Sequence, residues 1–389
     1  MEQAAAKNRT TGKKVFHHFD FPLFAVLLSI CLFGLVMLYS ASYYYALTKH
    51  GDGLYFLKRQ LLCFGIGVGA LFATSFINYK FYRKAAWWLY GIVVLLLAAT
   101  LVIGETVNEA TRWIKLGPVT FQPAELAKFG TVMVMARLMC SGKLKMQSFF
   151  RGVVPALLPL IPFAGLIILQ PNLSMILILA FTAYVMLYLG GVKISHRLLL
   201  MVMGVTVIVL FIVVKKGYHA DRIYYYLHPN ADPTGVNFQP IQSRIALGNG
   251  GLFGQGLNFS RQKLNFLPER ENDYILAIIG EELGFVGCFL LLAAYFFLVI
   301  RGTVIAMRCS DRFGRLLAGG ITAVLAIQVI LNVAVVTNAI PSTGQTLPFV
   351  SYGGTSIVIF LAAMGILLNI SRYSEVEEKN AAGTEQQHS

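Results

Sequence analysis

The chain has 389 residues, 57% of them hydrophobic and only 13% charged, with a formal net charge of +14 and a mean hydropathy of +0.66. A composition this apolar excludes an ordinary soluble domain and places the chain in a membrane. The positive balance needs no nucleic-acid partner, because basic connections anchor a membrane protein to its anionic inner leaflet.

From Phe21 to the region of Ile370, apolar runs recur at the length of about 20 residues that crosses roughly 30 Å of hydrocarbon. Helices satisfy their own backbone groups in lipid, so the expected fold class is an all-α polytopic membrane protein. Ten spans are expected, at 21–43, 56–77, 83–103, 122–140, 151–169, 172–191, 197–215, 274–299, 315–337 and 351–370. The stretch 151–191 also reads as one interrupted helix. Residues 1–20 form a cytoplasmic N-terminal tail, 21–372 the membrane domain and 373–389 a disordered cytoplasmic tail on this reading. The first run follows a basic segment, as a secretory signal would, but its length makes it an uncleaved anchor.

Lys and Arg set the orientation. One set of connections holds Lys80, Arg83, Lys84, Lys143, Lys145, Lys193, Arg308 and Arg312, whereas the short connections of the other set hold only Lys49, Lys58, Arg59, Arg112 and Lys115. The positive-inside pattern then puts both termini in the cytoplasm. The one long connection, 216–272 between the seventh and eighth spans, faces outside and is expected to be ordered over the bundle. Within it "FQPIQSRIALGNGGLFGQGL" predicts a short helix from Pro240 that ends in glycines. Gly248 to Gly256 is no phosphate loop, since no strand precedes it, and reads as a flexible or closely packed turn. Between the last two spans, "TNAIPSTGQTLPFVSYGGTS" is non-helical, which survives at membrane depth only beside a cavity or inside protein.

Ionisable residues within spans are informative because a charge at the bilayer centre costs at least about 2.5 kcal/mol. In "FQPAELAKFG" Glu125 and Lys128 lie three apart on one helical face, so they form an internal ion pair or leave Lys128 to hold an anionic substrate group. Arg112 either snorkels beside Trp113 or offers its fork to a phosphate. Asp273, at the start of the eighth span, is expected to cap that helix. Glu281 and Glu282 lie about 12 Å deeper, where capping is irrelevant. Glu281, about 80° round from Asp273, is the better companion for it on a cavity wall. Gln328 and Asn332 share one face of the ninth span and read as interhelical glue. The five cysteines and seven histidines show no ligand or disulfide spacing. No protein-built metal site is expected, although carboxylates and a substrate phosphate could share Mg²⁺.

In order, "ATRWIKLGPVTFQPAELAK", "LQPNLS", "QSRIALGNGGLFGQGL", "LPERENDYILAIIGEELG" and "PSTGQTLPFVSYGGTS" resemble the motifs of the SEDS family of bacterial cell-wall polymerases, which includes FtsW, RodA and SpoVE. The resemblance covers about Phe21 to Arg372 and implies ten membrane helices, in agreement with the hydropathy count. It implies a peptidoglycan glycosyltransferase of the cytoplasmic membrane that joins lipid II units at the outer face, beside a class B penicillin-binding transpeptidase. The family's essential acid falls on Asp273, and its fourth-span Glu and Lys fall on Glu125 and Lys128. Arg112, Arg244, Glu269, Glu281 and Ser351, in or beside the same motifs, are candidate substrate-binding residues. Asn172 and Ser174 stand where many members carry Asp and Gly, and Glu271-Asn272 where division proteins commonly carry His-Thr or Gln-Thr. The wording "GEELG" and "TLPFVSYGGTS" leans towards the division or sporulation branch. A lipid II flippase and a non-catalytic scaffold for the transpeptidase are the readings from other classes.

Overall fold

Asp20 accepts a hydrogen bond from the Leu23 amide at 3.0 Å and Pro22 sits in the first turn, so α1 (Phe21–His50) starts where a cap and a proline both favour it. The computed structural model describes residues 20–386 except 108–109, 118, 215–223, 229–231, 233–234 and 236. After α1 come α2 (Tyr55–Phe76), α3 (Tyr79–Ile103), α4 (Pro123–Met139), a π-helical turn (Phe149–Val153) running into α5 (Val154–Leu157), and α6 (Leu160–Leu169). They are followed by α7 (Leu173–Leu189), α8 (Ile194–Val214), α9 (Phe238–Gly250), α10 (Ile275–Arg308), α11 (Arg312–Val336) and α12 (Gly354–Gln386).

Among the described residues six helices are long and apolar enough to cross a membrane, and a seventh span is the pair Phe149–Leu157 and Leu160–Leu169, bent by 44°. Pro159 stands between its two halves, where it removes a helical donor and bends the chain. The shorter α4, α7 and α8 fall on the three remaining expected spans, so the all-α membrane architecture is the one observed. Several helices outrun their expected ends: α1 continues to His50, α3 begins at Tyr79 and α10 continues to Arg308. Their ends carry Lys49, Lys80 and Arg308, whose long stems extend a helix past the hydrocarbon while the charges stay wet.

Three differences stand out. Between α3 and α4 lies a small antiparallel sheet instead of a plain loop: β1 (Glu105–Val107), β2 (Ala110–Leu116) and β3 (Val119–Phe121), paired Val107↔Ala110 and Leu116↔Val119. In addition, α12 runs to Gln386, past the expected end of its span at 370. The expected N-terminal tail, apart from Asp20, lies outside the described residues, as does much of 216–236. The third difference is a break in α10 at Gly284, where φ 68° and ψ −166° are non-helical.

That break explains the glycine-rich run. The turn after α9 is laid into the gap: the amides of Gln255 and Gly256 donate to the carbonyls of Glu281 and Glu282, and those of Phe285 and Val286 donate to the carbonyls of Gly251 and Leu252. Peptide groups orphaned by the break are thus satisfied by a neighbouring backbone. A Cβ on Gly284 would stand 2.3 Å from the Gly254 nitrogen, so only glycine permits this approach. The run is therefore a closely packed turn.

At the centre of the bundle are α4, α11 and α12. In the hydrophobic window of α12, 78% of residues are buried, against 56% for α11 and 22% for α3 and α10, which face lipid. Small residues bring the central helices close, as membrane packing requires. A Cβ on Gly365 would meet Thr74 at 2.1 Å, and one on Gly320 would meet Val132 at 2.4 Å. One end of the bundle is tied by Asp20, which pairs with Arg301 of α10 and takes the Ser371 hydroxyl of α12 as acceptor for its own amide.

Candidate active site

Asp273 lies one residue before Tyr274, which holds the cap position of α10 without a side-chain cap bond. The turn before it carries a left-handed Glu269 (φ 53°), whose carbonyl accepts from the amides of Asn272 at 3.1 Å and Tyr274 at 3.2 Å. Asp273 is half-buried, and its Oδ2 lies 3.4 Å from where a Cβ would stand on Gly344, itself left-handed at φ 66°.

Three bonds from two other segments hold the backbone around Asp273. The Asn332 amide nitrogen donates to the Asp273 carbonyl at 2.8 Å and to the Gln345 carbonyl at 2.7 Å. The Ser351 hydroxyl donates to the Asn272 carbonyl at 2.6 Å while accepting from the Leu347 amide at 2.8 Å. The Tyr352 amide donates to the Glu271 carbonyl at 2.8 Å. Residues 345–351 of the irregular segment between α11 and α12, nearly all buried, thus clamp the acid's backbone, and Ser351 belongs to the clamp.

A polar seam runs from this clamp into the bundle. Gln328, one turn from Asn332 on α11, donates to the Thr346 carbonyl at 3.0 Å and accepts from Lys128 at 2.6 Å. Lys128, with no exposed surface, also pairs with Glu125 at 2.8 Å and lies 4.8 Å from the Phe360 ring centroid. The internal ion pair is formed. Two charges enclosed this way stay because each satisfies the other; removing one partner from a buried pair costs about 3–5 kcal/mol. The amides read as interhelical glue are the links between that pair and the loop of Asp273.

Other candidates are placed elsewhere. Glu281 is turned into the outer loop: it accepts from Ser260, from the amides of Arg261 at 3.3 Å and Gln262 at 3.2 Å, and from Asn249 at 3.5 Å. It organises residues 249–262, where side-chain and backbone donors converge on the carboxylate. Glu282 pairs with Lys263 at 2.8 Å and accepts from Ser40 of α1. Arg112, on β2, donates to the carbonyls of Gln170 (3.3 Å) and Pro171, at the turn between α6 and α7. Arg244 is exposed on α9 and has no hydrogen bond or ion pair among the described residues. Glu269 accepts from the Asn272 side chain at 2.6 Å. Glu271 is buried, and burial pushes its carboxyl up from the ordinary value of 4.5; Glu269 adds to the rise, and Arg270 and Lys49 oppose it. Among the described residues no three His, Cys, Asp or Glu side chains converge, so they do not fit a protein-built metal centre.

Two supports escape sequence reasoning. Buried Gln60 of α2 donates to the Ser351 carbonyl at 3.2 Å and accepts from the Gly353 amide at 3.2 Å. Tyr295 of α10 donates to the Pro348 carbonyl. Tyr295 is a lone polar group within an apolar run, and that isolation is the signal available in the sequence, whereas Gln60 follows Lys58 and Arg59 and carries no such signal.

With this geometry in hand, the comparisons with known proteins agree. The cell cycle protein family, FtsW/RodA/SpoVE, matches residues 21–376. The chain is 41% identical to the probable peptidoglycan glycosyltransferase FtsW of Trichlorobacter lovleyi over 91% of its length and 93% of the relative's. It is also 41% identical to the stage V sporulation protein E of Bacillus subtilis, over 91% and 97% of the two chains. Among solved structures, a chain of a peptidoglycan synthase complex that coordinates polymerization and crosslinking superposes with a TM-score of 0.76 at 29% identity, covering 92% of this chain and 98% of the other. The rod-shape-determining protein RodA of Thermus thermophilus gives 0.68 at 29% identity, covering 91% and 97%. On sequence, on architecture and on motif order, this chain belongs to the FtsW/RodA/SpoVE family.

Proposed function

We propose that the protein is a peptidoglycan glycosyltransferase that polymerises lipid II into β-1,4-linked glycan at the outer face of the bacterial cytoplasmic membrane, with Asp273 as general base. Relatives at 41% identity named for this transfer support the activity. The observation that carries the residue assignment is the clamp: a half-buried carboxylate whose backbone is fixed by Asn332, Ser351 and Tyr352. A base must be positioned before it is useful, and a positioned one contributes about 10²- to 10⁴-fold.

In the reaction, Asp273 takes the proton from the 4-hydroxyl of the acceptor sugar as that oxygen attacks the anomeric carbon of a lipid-linked donor. The bond to the pyrophosphate breaks as the new bond forms, so an α-linked donor gives a β product. The departing polyprenyl diphosphate gathers negative charge, which Arg112 at the α6–α7 turn and Lys128, positioned by Glu125, offset from within a site of low dielectric. Lys128 reaches the leaving group by exchanging its neutral partner Gln328 for it while keeping Glu125. The lipid tail stays in the bilayer throughout, which is why a membrane bundle carries this chemistry.

A transporter of the same lipid would use broken helices to line a passage. Here the break in α10 is filled by the backbone of Gly251–Gly256, which favours a rigid outer platform over a passage. Buried Glu281 and Lys128 have structural partners, so their burial does not separate an enzyme from a scaffold; an assay of the Asp273→Asn variant does. A class B penicillin-binding transpeptidase is the partner this reading assigns, in keeping with the synthase complex that shares the fold. The test is Asp273→Asn, purified with its cognate transpeptidase and given lipid II. Glycan formation is expected to fall by about 10²-fold or more. Polymer made at the unaltered rate by the folded variant would overturn the assignment.

A further inference from the structure

At the end of the bundle where α3 begins, α4 ends and α11 begins, a cavity of about 580 Å³ is lined by Lys80, Arg83, Lys84, Arg137, Asp311 and Phe313. Its charges do not cancel. Among the described residues none of the four cations forms an ion pair, and the single carboxylate, Asp311, is spent capping α11 through the Gly314 amide at 3.0 Å. Arg137 bridges the pocket by donating to the carbonyls of Arg83 and of Lys84, the latter at 3.0 Å, which fixes the start of α3 against the end of α4.

An apolar stripe climbs from this cavity. Phe81, Lys84 and Trp88 are spaced three and four apart, so they share one face of α3. That face continues through exposed Ile92, Leu95 and Val102, of which Trp88 and Val102 are 80% and 84% exposed. A ligand that fills the basic cavity and covers the stripe must carry both a phosphate and acyl chains.

We propose that this cavity is a binding site for the headgroup of an anionic glycerophospholipid, with its chains laid along α3. The cavity opens beside the lipid-facing stripe of α3, and basic pockets between helices at a membrane boundary suit lipid phosphates. The positive-inside orientation assigns the site to the inner leaflet.

The test uses the full chain purified in detergent, titrated with phosphatidylglycerol and observed by native mass spectrometry. Retained phosphatidylglycerol is expected, with phosphatidylcholine of the same chains held at least tenfold more weakly. Each charge near such a surface contributes about fivefold, so Lys84→Gln should weaken retention about fivefold and the triple Lys80→Gln, Arg83→Gln, Lys84→Gln about 100-fold. A triple of equal charge loss at the opposite end, Lys58→Gln, Lys115→Gln, Arg261→Gln, should retain lipid as the parent does. Parent-like retention by the first triple, equal loss in the second, equal binding of phosphatidylcholine, or displacement by millimolar inorganic phosphate would each overturn the proposal. The measurement needs neither glycosyl transfer nor knowledge of sidedness, so its failure is separable from failure of the assigned reaction.

Discussion

Glu271 shows how close the acid's loop comes to holding a charge it does not solvate. Its carboxyl is buried, its main-chain oxygen is taken by Tyr352, and burial raises its pKa above 4.5. For a carboxylate raised in the folded state, the stabilising contribution is complete below the unfolded value of 4.5 and is lost as pH climbs through the raised value. At pH 8 the ionised group is a burden on the fold, which Glu271→Gln removes. The variant should therefore unfold at a higher temperature than the parent at pH 8, with the advantage shrinking towards pH 4.5; thermal unfolding in detergent at several pH values reads this directly. An advantage independent of pH would mean that packing, not charge, sets the difference. The neighbouring Asp273 was legible in the sequence as an acid where membrane meets water, and Glu125–Lys128 as a pair three apart on one face. The clamp was not. Ser351 and Asn332 are recognisable as polar residues, yet that their partners are main-chain carbonyls at 272 and 273 depends on pairings 79 and 59 residues apart, which no local period encodes.

Among the elements, α10 departs furthest from its sequence. Its apolar run predicts one continuous span, whereas the chain makes a short outer half-helix, breaks at Gly284 and then crosses. Periodicity cannot reveal such a break, because both halves keep the same apolar composition. The glycine at 284 and the glycine-rich run after α9 are the two halves of the signal, and only their contact joins them. The half-helix before the break carries Glu281 and Glu282, which bind residues 249–263, so the answer to why acids sit so deep is that they hold that loop down. A residue with a side chain at φ 68° and ψ −166° costs about 1–3 kcal/mol in backbone strain alone. The 2.3 Å approach to Gly254 adds overlap to that strain. Gly284→Ala should accordingly lower stability by at least about 2 kcal/mol and loosen the Gly251–Gly256 turn. Hydrogen exchange would then rise at the amides of Gln255 and Gly256 before it rises in α11. Parent-like protection of those amides would show that the break tolerates a side chain and that the turn is not what closes it.

Across the whole molecule, composition and charge are enough to specify a helical membrane bundle, because lipid leaves a chain this apolar no alternative to helices. Sidedness rests on charge alone and can be tested as such. The basic end holds Lys80, Arg83, Lys84, Lys143 and Arg312, while the end bearing Asp273 carries the sheet, α9 and the loop stapled by Glu281. If the positive-inside asymmetry sets the topology, these ends face opposite compartments. The five free cysteines are replaced by serine, and one new cysteine is placed at Leu257 or at Lys143, both exposed. A membrane-impermeant maleimide applied to intact cells should label Leu257→Cys and leave Lys143→Cys unlabelled until the membrane is permeabilised. The reverse pattern would put Asp273 on the cytoplasmic side, where no external glycan could be extended, and the orientation and the assigned reaction would fall together.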